Sequence, residues 1–324
     1  VSRVVVGVGA SHTTLMNTRW DDVNHLDRAH RFRDALAEAR RAVEASGADV
    51  AVVLGSNHFR GFWLDLMPAF TIGVGEVIAA GEHGTPQGPQ PTDPELARHL
   101  LAQVVRAGFD PAFSARLQVD HGITHALQYV VPEGVPVVPV VINSFAPPLP
   151  SLARCAALGE ALARAVASHP GDRRVAVIGS GGLSHRLPFP DWRSPASDDD
   201  EFLVRSWLDG RNDWQSYEDR RRRIVVSAPP DLNEGFDADV LARLERGELA
   251  TLVDLEDDLV PVAGNGANEI RGWLAMAAAC GWAPGRRLCY SPMPEWLTGM
   301  AVAVIDHPAE PAPEDPRPLE ERAR

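Results

Sequence analysis

The sequence is short of the features that mark secreted, membrane-spanning or nucleic-acid-binding chains. Cysteine is scarce: Cys155, Cys280 and Cys289 are odd in number and show no CxxC spacing. A disulfide framework or a structural zinc site is therefore not expected, and a reducing cytosol suits the chain. No run of about 18 uncharged apolar residues occurs, so no helical membrane span is expected. The first residues enter an apolar stretch, Arg3 to Gly9, without the layout of a signal peptide, and a cytoplasmic location follows as the expectation. Basic charge is also in deficit. With 31 Lys+Arg against 44 Asp+Glu the formal charge is -13, a surface that repels phosphate backbones. The one local exception is Arg220 to Arg223. Such a run reads first as a solvated helix face, and more sharply as an anchor for a substrate carboxylate.

What is present is ordinary globular material, 45% hydrophobic and 23% charged over 324 residues. Four Val-rich runs lack clean alternation: Arg3–Gly9, Asp49–Gly55, Val135–Asn143 and Arg174–Gly179. Continuous apolar runs of this length suit strands buried on both faces. Helical periodicity lies between them. Asp22 to Ala45 carries a stripe of apolar residues, Thr92-Asp93-Pro94-Glu95 forms a helix start before Leu96, and Ser151 to Ser168 is rich in Ala and Leu. This alternation predicts an α/β fold: a central, largely buried sheet with helices on both faces, in three layers. Residues 1–306 read as a single domain. Leu187 to Glu234 is broken by prolines and reads as loops and short helices roofing a site. From His307 to Arg324 the chain is rich in Pro, Glu and Arg, as a disordered tail would be.

Three of the predicted strands end within a few residues of a histidine: His12 after Gly9, His58 after Gly55, and His185 after Gly179. Ligands bind outside the carboxyl ends of strands in open α/β sheets, so three imidazoles could meet in one crevice. A lone loop histidine is usually bland; the repeated placement argues otherwise. His121 follows Asp120 and precedes Gly122, where a carboxylate could orient the imidazole and set its pKa. His125 lies four residues on, but without the Glu of HExxH it reads as a capping or surface residue. Glu269 follows a Gly/Asn-rich turn and shares a helix face with Trp273, Met276 and Cys280. That face is apolar, so the carboxylate points inward and needs a partner, which could be a metal or simply a cap or ion pair. Two histidines and a carboxylate with open positions make the facial triad of non-haem Fe(II) oxygenases, and further histidines would serve as acid/base groups.

The chain resembles the class III (LigB-type) extradiol catechol dioxygenases. The marks are SHTTL at Ser11–Leu15, HFRGFWLDLMPAFTIGVG at His58–Gly75, QVDHG at Gln118–Gly122 and VPVVPVVIN at Val135–Asn143. GSGGLSH at Gly179–His185, NEIRGW at Asn268–Trp273 and PEWLTG at Pro294–Gly299 complete them. The resemblance implies Fe(II) held by His12, His58 and Glu269, with His121 and His185 as the paired acid/base histidines. It implies a small aromatic diol as substrate, 2,3-dihydroxyphenylpropionate-like, together with O2, and a homo-oligomer. Asn57 stands where relatives often have Asp before the second iron ligand, which bears on tuning of the iron. The loop from Gly81 to Gln90 is unusual, and Ser227 to Asp237 is short.

Other chemistries compete. A zinc hydrolase could use the same ligand types. The scaffold could have become a binding protein, or ring cleavage could act on a 2-aminophenol. A serine hydrolase is disfavoured because Ile178-Gly179-Ser180-Gly181-Gly182 lacks the first glycine of GxSxG. A dinucleotide fold is disfavoured because GSGGLS is not GxGxxG.

Overall fold

A computed structural model describes residues 1–311. The expected tail therefore falls largely outside the described residues. Nine strands make one mixed sheet. They are β1 (Arg3–Ala10), β2 (Val50–Ser56), β3 (Phe70–Ala80), β4 (Gln87–Gln90), β5 (Ala112–Val119), β6 (Val137–Ile142), β7 (Arg174–Ser180), β8 (Arg286–Met293) and β9 (Thr298–Ile305). The order is β4-β3-β6-β2-β7-β1-β9-β8, and β5 pairs with β3 off that path.

The helices before the sheet's midpoint in the chain are α1 (Thr14–Thr18), α2 (Leu26–Ser46), α3 (Pro94–Arg106), α4 (His121–Tyr129) and α5 (Leu152–Ala167). After β7 come α6 (Asp198–Asp209), α7 (Trp214–Val226), α8 (Glu234–Arg246), α9 (Leu259–Ala263) and α10 (Ile270–Ala279). Among the described residues no helix is long and apolar enough to cross a membrane.

The four Val-rich runs are the strands β1, β2, β6 and β7, and their continuity has a direct cause. Val50, Val52 and Leu54 join a core cluster with α3, α5, α8 and α10, while Ala51 and Val53 join a second with α2 and α4. Val175 and Val177 against Ala176 and Ile178 divide the same way. Beyond their first residues these strands are covered by helices on both faces, which leaves no room for polar alternation. The three-layer expectation holds.

Local chemistry sets the helix ends. Asp93 caps α3 by accepting from Leu96 N at 3.0 Å, and Ser151 caps α5 by accepting from Arg154 N at 3.1 Å. The helix expected from Asp22 begins only at Leu26. The Glu295 carboxylate takes the backbone N–H groups of Asn24 and His25, at 2.8 and 3.1 Å, and so holds the preceding residues outside the helix. The roof expected over Leu187–Glu234 contains α6 and α7, pinned by a third cluster in which Trp207 stacks on Phe59 with ring centroids 4.3 Å apart.

Candidate active site

The neighbouring strands β2, β7 and β1 run parallel, with Leu54 beside Gly179 and Ala10 beside Ser180. Their carboxyl ends therefore open on one crevice, and the chain turns out of each strand there. His12 leaves β1, His58 leaves β2, and Gly181 to His185 leave β7. Glu269 arrives from the opposite side, at the end of the short 3-10 segment Asn265–Glu269 that feeds α10. Trp273, Met276 and Cys280 are fully buried behind it, as the shared helix face requires.

One carboxylate oxygen is the focus. His12 Nε2 lies 3.2 Å and His58 Nε2 3.3 Å from Glu269 Oε1, and His185 Nε2 lies 4.0 Å from Oε2. All four side chains are buried. His12 Nε2 is buried with no hydrogen-bond partner although Glu269 is so near. Two ring nitrogens and a carboxylate thus converge without bonding one another well, which is the donor set and orphaned valence a divalent metal would satisfy.

The outer atoms of these groups are fixed. His12 Nδ1 meets Ser180 Oγ at 2.9 Å. His58 Nδ1 lies 3.3 Å from Asp120 Oδ1, and the other Asp120 oxygen accepts the His58 N–H. Glu269 Oε1 also accepts from Ser56 Oγ, and Oε2 from Gly182 N at 2.8 Å. Partners of this kind lock tautomer and ring orientation.

His121 stands against this group. Its ring stacks on that of His58, with centroids 3.8 Å apart at 26°. The ligand atoms of His12, His58 and His121 lie within 4.8 Å of one another, as do those of Glu82, Asp120 and His121. Geometry alone therefore also permits His121 as a ligand. Its Nδ1, however, is held by the Glu82 carboxylate, which also accepts the His121 N–H at 2.9 Å.

The family described as "catalytic LigB subunit of aromatic ring-opening dioxygenase" matches residues 7–301. The chain belongs to the LigB family. A Rhodococcus jostii (strain RHA1) protein named 2,3-dihydroxyphenylpropionate/2,3-dihydroxicinnamic acid 1,2-dioxygenase is 35% identical, over 83% of this chain and 89% of its own length. A Klebsiella pneumoniae (strain 342) protein of the same name is 34% identical, over 89% of this chain and 94% of its own. A crystal structure of an uncharacterised Escherichia coli K12 protein shares the fold, with TM-score 0.52 and 16% identity, covering 93% of this chain and 99% of that one.

Within this LigB chain, electrostatics separate the histidines. Burial disfavours a charge on His58, but the Asp120 and Glu269 carboxylates overcome it and raise its pKa to about 10. Burial likewise opposes the Glu269 charge, yet His12 and His58 hold its carboxyl well below the usual range. His121 is held well below the ordinary imidazole value, first by burial and then by the His58 charge. His185 is lowered too, by burial, with Glu269 working in the opposite direction.

Two sequence expectations, on Asp120 and on His125, need correction. Asp120 does not orient the neighbouring His121; it caps α4 by accepting from Gly122 N at 3.0 Å and holds His58. The orienting carboxylate is Glu82, from the unusual Gly81–Gln90 loop, and nothing in local spacing ties it to His121. His125 is neither a cap nor a surface residue. It is buried with both ring nitrogens unpartnered, and its ring lies 5.6 Å from that of His12. Asn57 spends its amide on the Gly61–Phe62 turn, with Oδ1 accepting from both N–H groups at 3.0 and 2.9 Å.

Above the centre lies a cleft. His12, His58, His121, His185 and Glu269 form its floor, and Leu15, Leu187, Phe189, Val225, Trp296 and Leu297 give apolar walls. Arg60, Arg221, Arg222, Glu82, His83 and Glu218 also line it. Of the basic run Arg220–Arg223, two members thus face the cleft rather than bulk solvent.

Proposed function

We propose that the protein is an Fe(II)-dependent extradiol dioxygenase that opens the ring of a substituted, 2,3-dihydroxyphenylpropionate-like catechol with O2. The observation that carries this reading is the approach of His12 Nε2 and His58 Nε2 to one oxygen of buried Glu269, at the floor of a cleft with apolar walls. His12, His58 and Glu269 are the residues that would hold the metal. When bound, Fe(II) supplies Lewis acidity and open positions for the diol and O2. Names of relatives support the catechol, since those proteins are named as 1,2-dioxygenases of 2,3-dihydroxyphenylpropionate and 2,3-dihydroxicinnamic acid. Residues 1–306 are taken as one catalytic unit, since strands from β1 to β9 share one sheet.

The chain's own groups then divide the proton work. His121, kept neutral by burial and by its charged neighbour, is the base that takes a proton from a catechol hydroxyl. Glu82 fixes its Nδ1 and so leaves Nε2 for the substrate. His185 Nδ1 lies 3.0 Å from the Leu183 carbonyl, which can only accept, so Nδ1 carries the hydrogen. Nε2 of His185 is then the atom that gains and gives a proton. Burial lowers its pKa and Glu269 only partly opposes this, so Nε2 rests neutral, takes up a proton in the course of the reaction and gives it back as the ring bond opens.

The test is anaerobic reconstitution with Fe(II), and separately with Zn(II), followed by a panel of catechols and 2-aminophenols. Fe(II) protein should consume O2 and form a yellow semialdehyde from catechols. Hydrolysis by the Zn(II) form with no O2 uptake by the Fe(II) form would overturn the reading.

A further inference from the structure

The cleft has a charge asymmetry that the metal centre and its histidines do not use. The sequence contains no lysine, so its fixed side-chain cations are arginines. Of the three that line the cleft, two are neutralised. Arg60 lies 3.3 Å from Glu82 Oε2 and 2.7 Å from Glu218 Oε2, and Arg221 lies 3.1 Å from Glu218 Oε2. His83 meets the remaining Glu218 oxygen at 3.2 Å. Glu218 and Glu82 are therefore fully engaged.

Arg222 differs. Among the described residues no carboxylate lies within ion-pair distance of its guanidinium. Nη1 donates to Thr14 Oγ1 at 3.0 Å and Nη2 to Thr18 Oγ1 at 2.8 Å. These hydroxyls belong to α1, which begins two residues after His12, and they hold the side chain without neutralising it. A guanidinium carries five N–H donors. After two are spent, several remain, on a half-buried cation beside apolar walls.

We infer that Arg222 is the specificity-determining residue of this cleft, and that it binds a carboxylate on the side chain of the aromatic substrate. The inference rests on the ring-cleavage reading for the word substrate, but not for the binding itself. The molecule that fits has a polar diol at the histidine floor, a ring between apolar walls and a short acidic chain reaching Arg222. A planar guanidinium suits a carboxylate because it can give two parallel N–H···O bonds. The bland alternative is a clamp, with Arg222 merely tying α7 to α1 through the two threonines.

Two measurements separate these roles. The first is equilibrium binding of 3-phenylpropionate and its neutral amide, neither of which has a diol. The second is kcat/KM on 2,3-dihydroxyphenylpropionate and on 3-methylcatechol. Both are run with wild type, Arg222→Gln, Arg222→Lys and the control Arg223→Gln, which lies on the exposed side of α7, with circular dichroism to verify the fold. Wild type should prefer carboxylate over amide by about 10- to 100-fold, the range of a charge-assisted hydrogen bond. Arg222→Gln should bring the preference near unity, and Arg222→Lys should keep part of it. Arg223→Gln should leave the preference and 3-methylcatechol turnover unchanged, and in Arg222→Gln kcat/KM should fall further for 2,3-dihydroxyphenylpropionate than for 3-methylcatechol. Equal losses for acid and amide, or an unchanged preference in Arg222→Gln, would overturn the inference in favour of a clamp. So would a wild type without preference. If no catechol is cleaved while the binding preference still depends on Arg222, ring cleavage fails and this assignment stands.

Discussion

Replacing Gly266 by alanine would displace His185 without altering any side chain of the centre. Gly266 sits in the 3-10 segment that leads to Glu269. A Cβ there falls 2.1 Å from both Cδ2 and Nε2 of His185 and 2.5 Å from Cε1, where ordinary contact begins at 3.4 Å. The ring must therefore retreat by about 1.3 Å. It has little freedom to do so: Nδ1 is tied to the Leu183 carbonyl at 3.0 Å, and the His185 carbonyl accepts from Gly266 N at 3.0 Å. A misplacement of about 1 Å costs roughly 10²-fold in rate, and losing a general acid outright costs about 10²–10⁴-fold. Gly266→Ala should thus lower kcat by at least about 100-fold while iron content stays at the wild-type level, because His12 and His58 are not displaced. Steady-state ring cleavage and metal analysis of the same sample measure the two. In a His185→Ala background the added alanine should cost little more, since the ring it displaces is already gone. A kcat near wild type at full iron occupancy would refute the role given to His185 where it stands.

Further outcomes follow from the same geometry. His121→Phe and His185→Phe should each retain iron and lose about 10²–10⁴-fold in turnover, and near-normal ring cleavage by either variant would remove it from the proton work. Because His58 is held up at about 10 by Asp120 and Glu269 despite burial, protein stripped of metal carries a proton there at neutral pH, which must leave before Nε2 can bind iron. Anaerobic calorimetry in buffers of differing ionisation enthalpy should find about one proton released per iron, with affinity rising roughly tenfold per pH unit until about 10; a pH-independent affinity would contradict this. Gly159→Ala places a Cβ 2.1 Å from the Ala275 carbonyl oxygen where α5 crosses α10, and overpacking should cost about 1–3 kcal/mol in denaturant unfolding despite the better helix propensity. A stabilised variant would show that the two helices can separate freely.

The strands that could be read from sequence are those with a helix layer on each face. β1, β2, β6 and β7 are buried over most of their length, and their Val runs declare it. β3 and β5 were not anticipated because their ends lie toward solvent, and Glu76 with Arg116 and Arg116's neighbours dilute the pattern. β9 is buried throughout, but Gly299, Ala301 and Ala303 give it little hydrophobic weight, since they lie under close-packed neighbours. The crevice was legible for a different reason: a strand end followed by glycine and histidine is a local signal. Its outer partners are not local. Glu82 reaches His121 across 39 positions and Asp120 reaches His58 across 62, and only the folded sheet puts them together.

The charges around His58 explain why the centre suits a divalent ion. Glu269 and Asp120 bracket its ring from opposite sides, while Glu82 is matched by Arg60. With a proton on His58 the bracket holds two negative charges against one positive. Burial makes that surplus costly, and His121, stacked on the same ring, cannot supply the missing charge because a second imidazolium would face the first at 3.8 Å. A divalent cation that displaces the proton brings the bracket to neutrality. It also leaves positive charge beside His121, so the influence that keeps this imidazole neutral persists when the metal is bound. The same arrangement that favours the ion therefore preserves the base next to it.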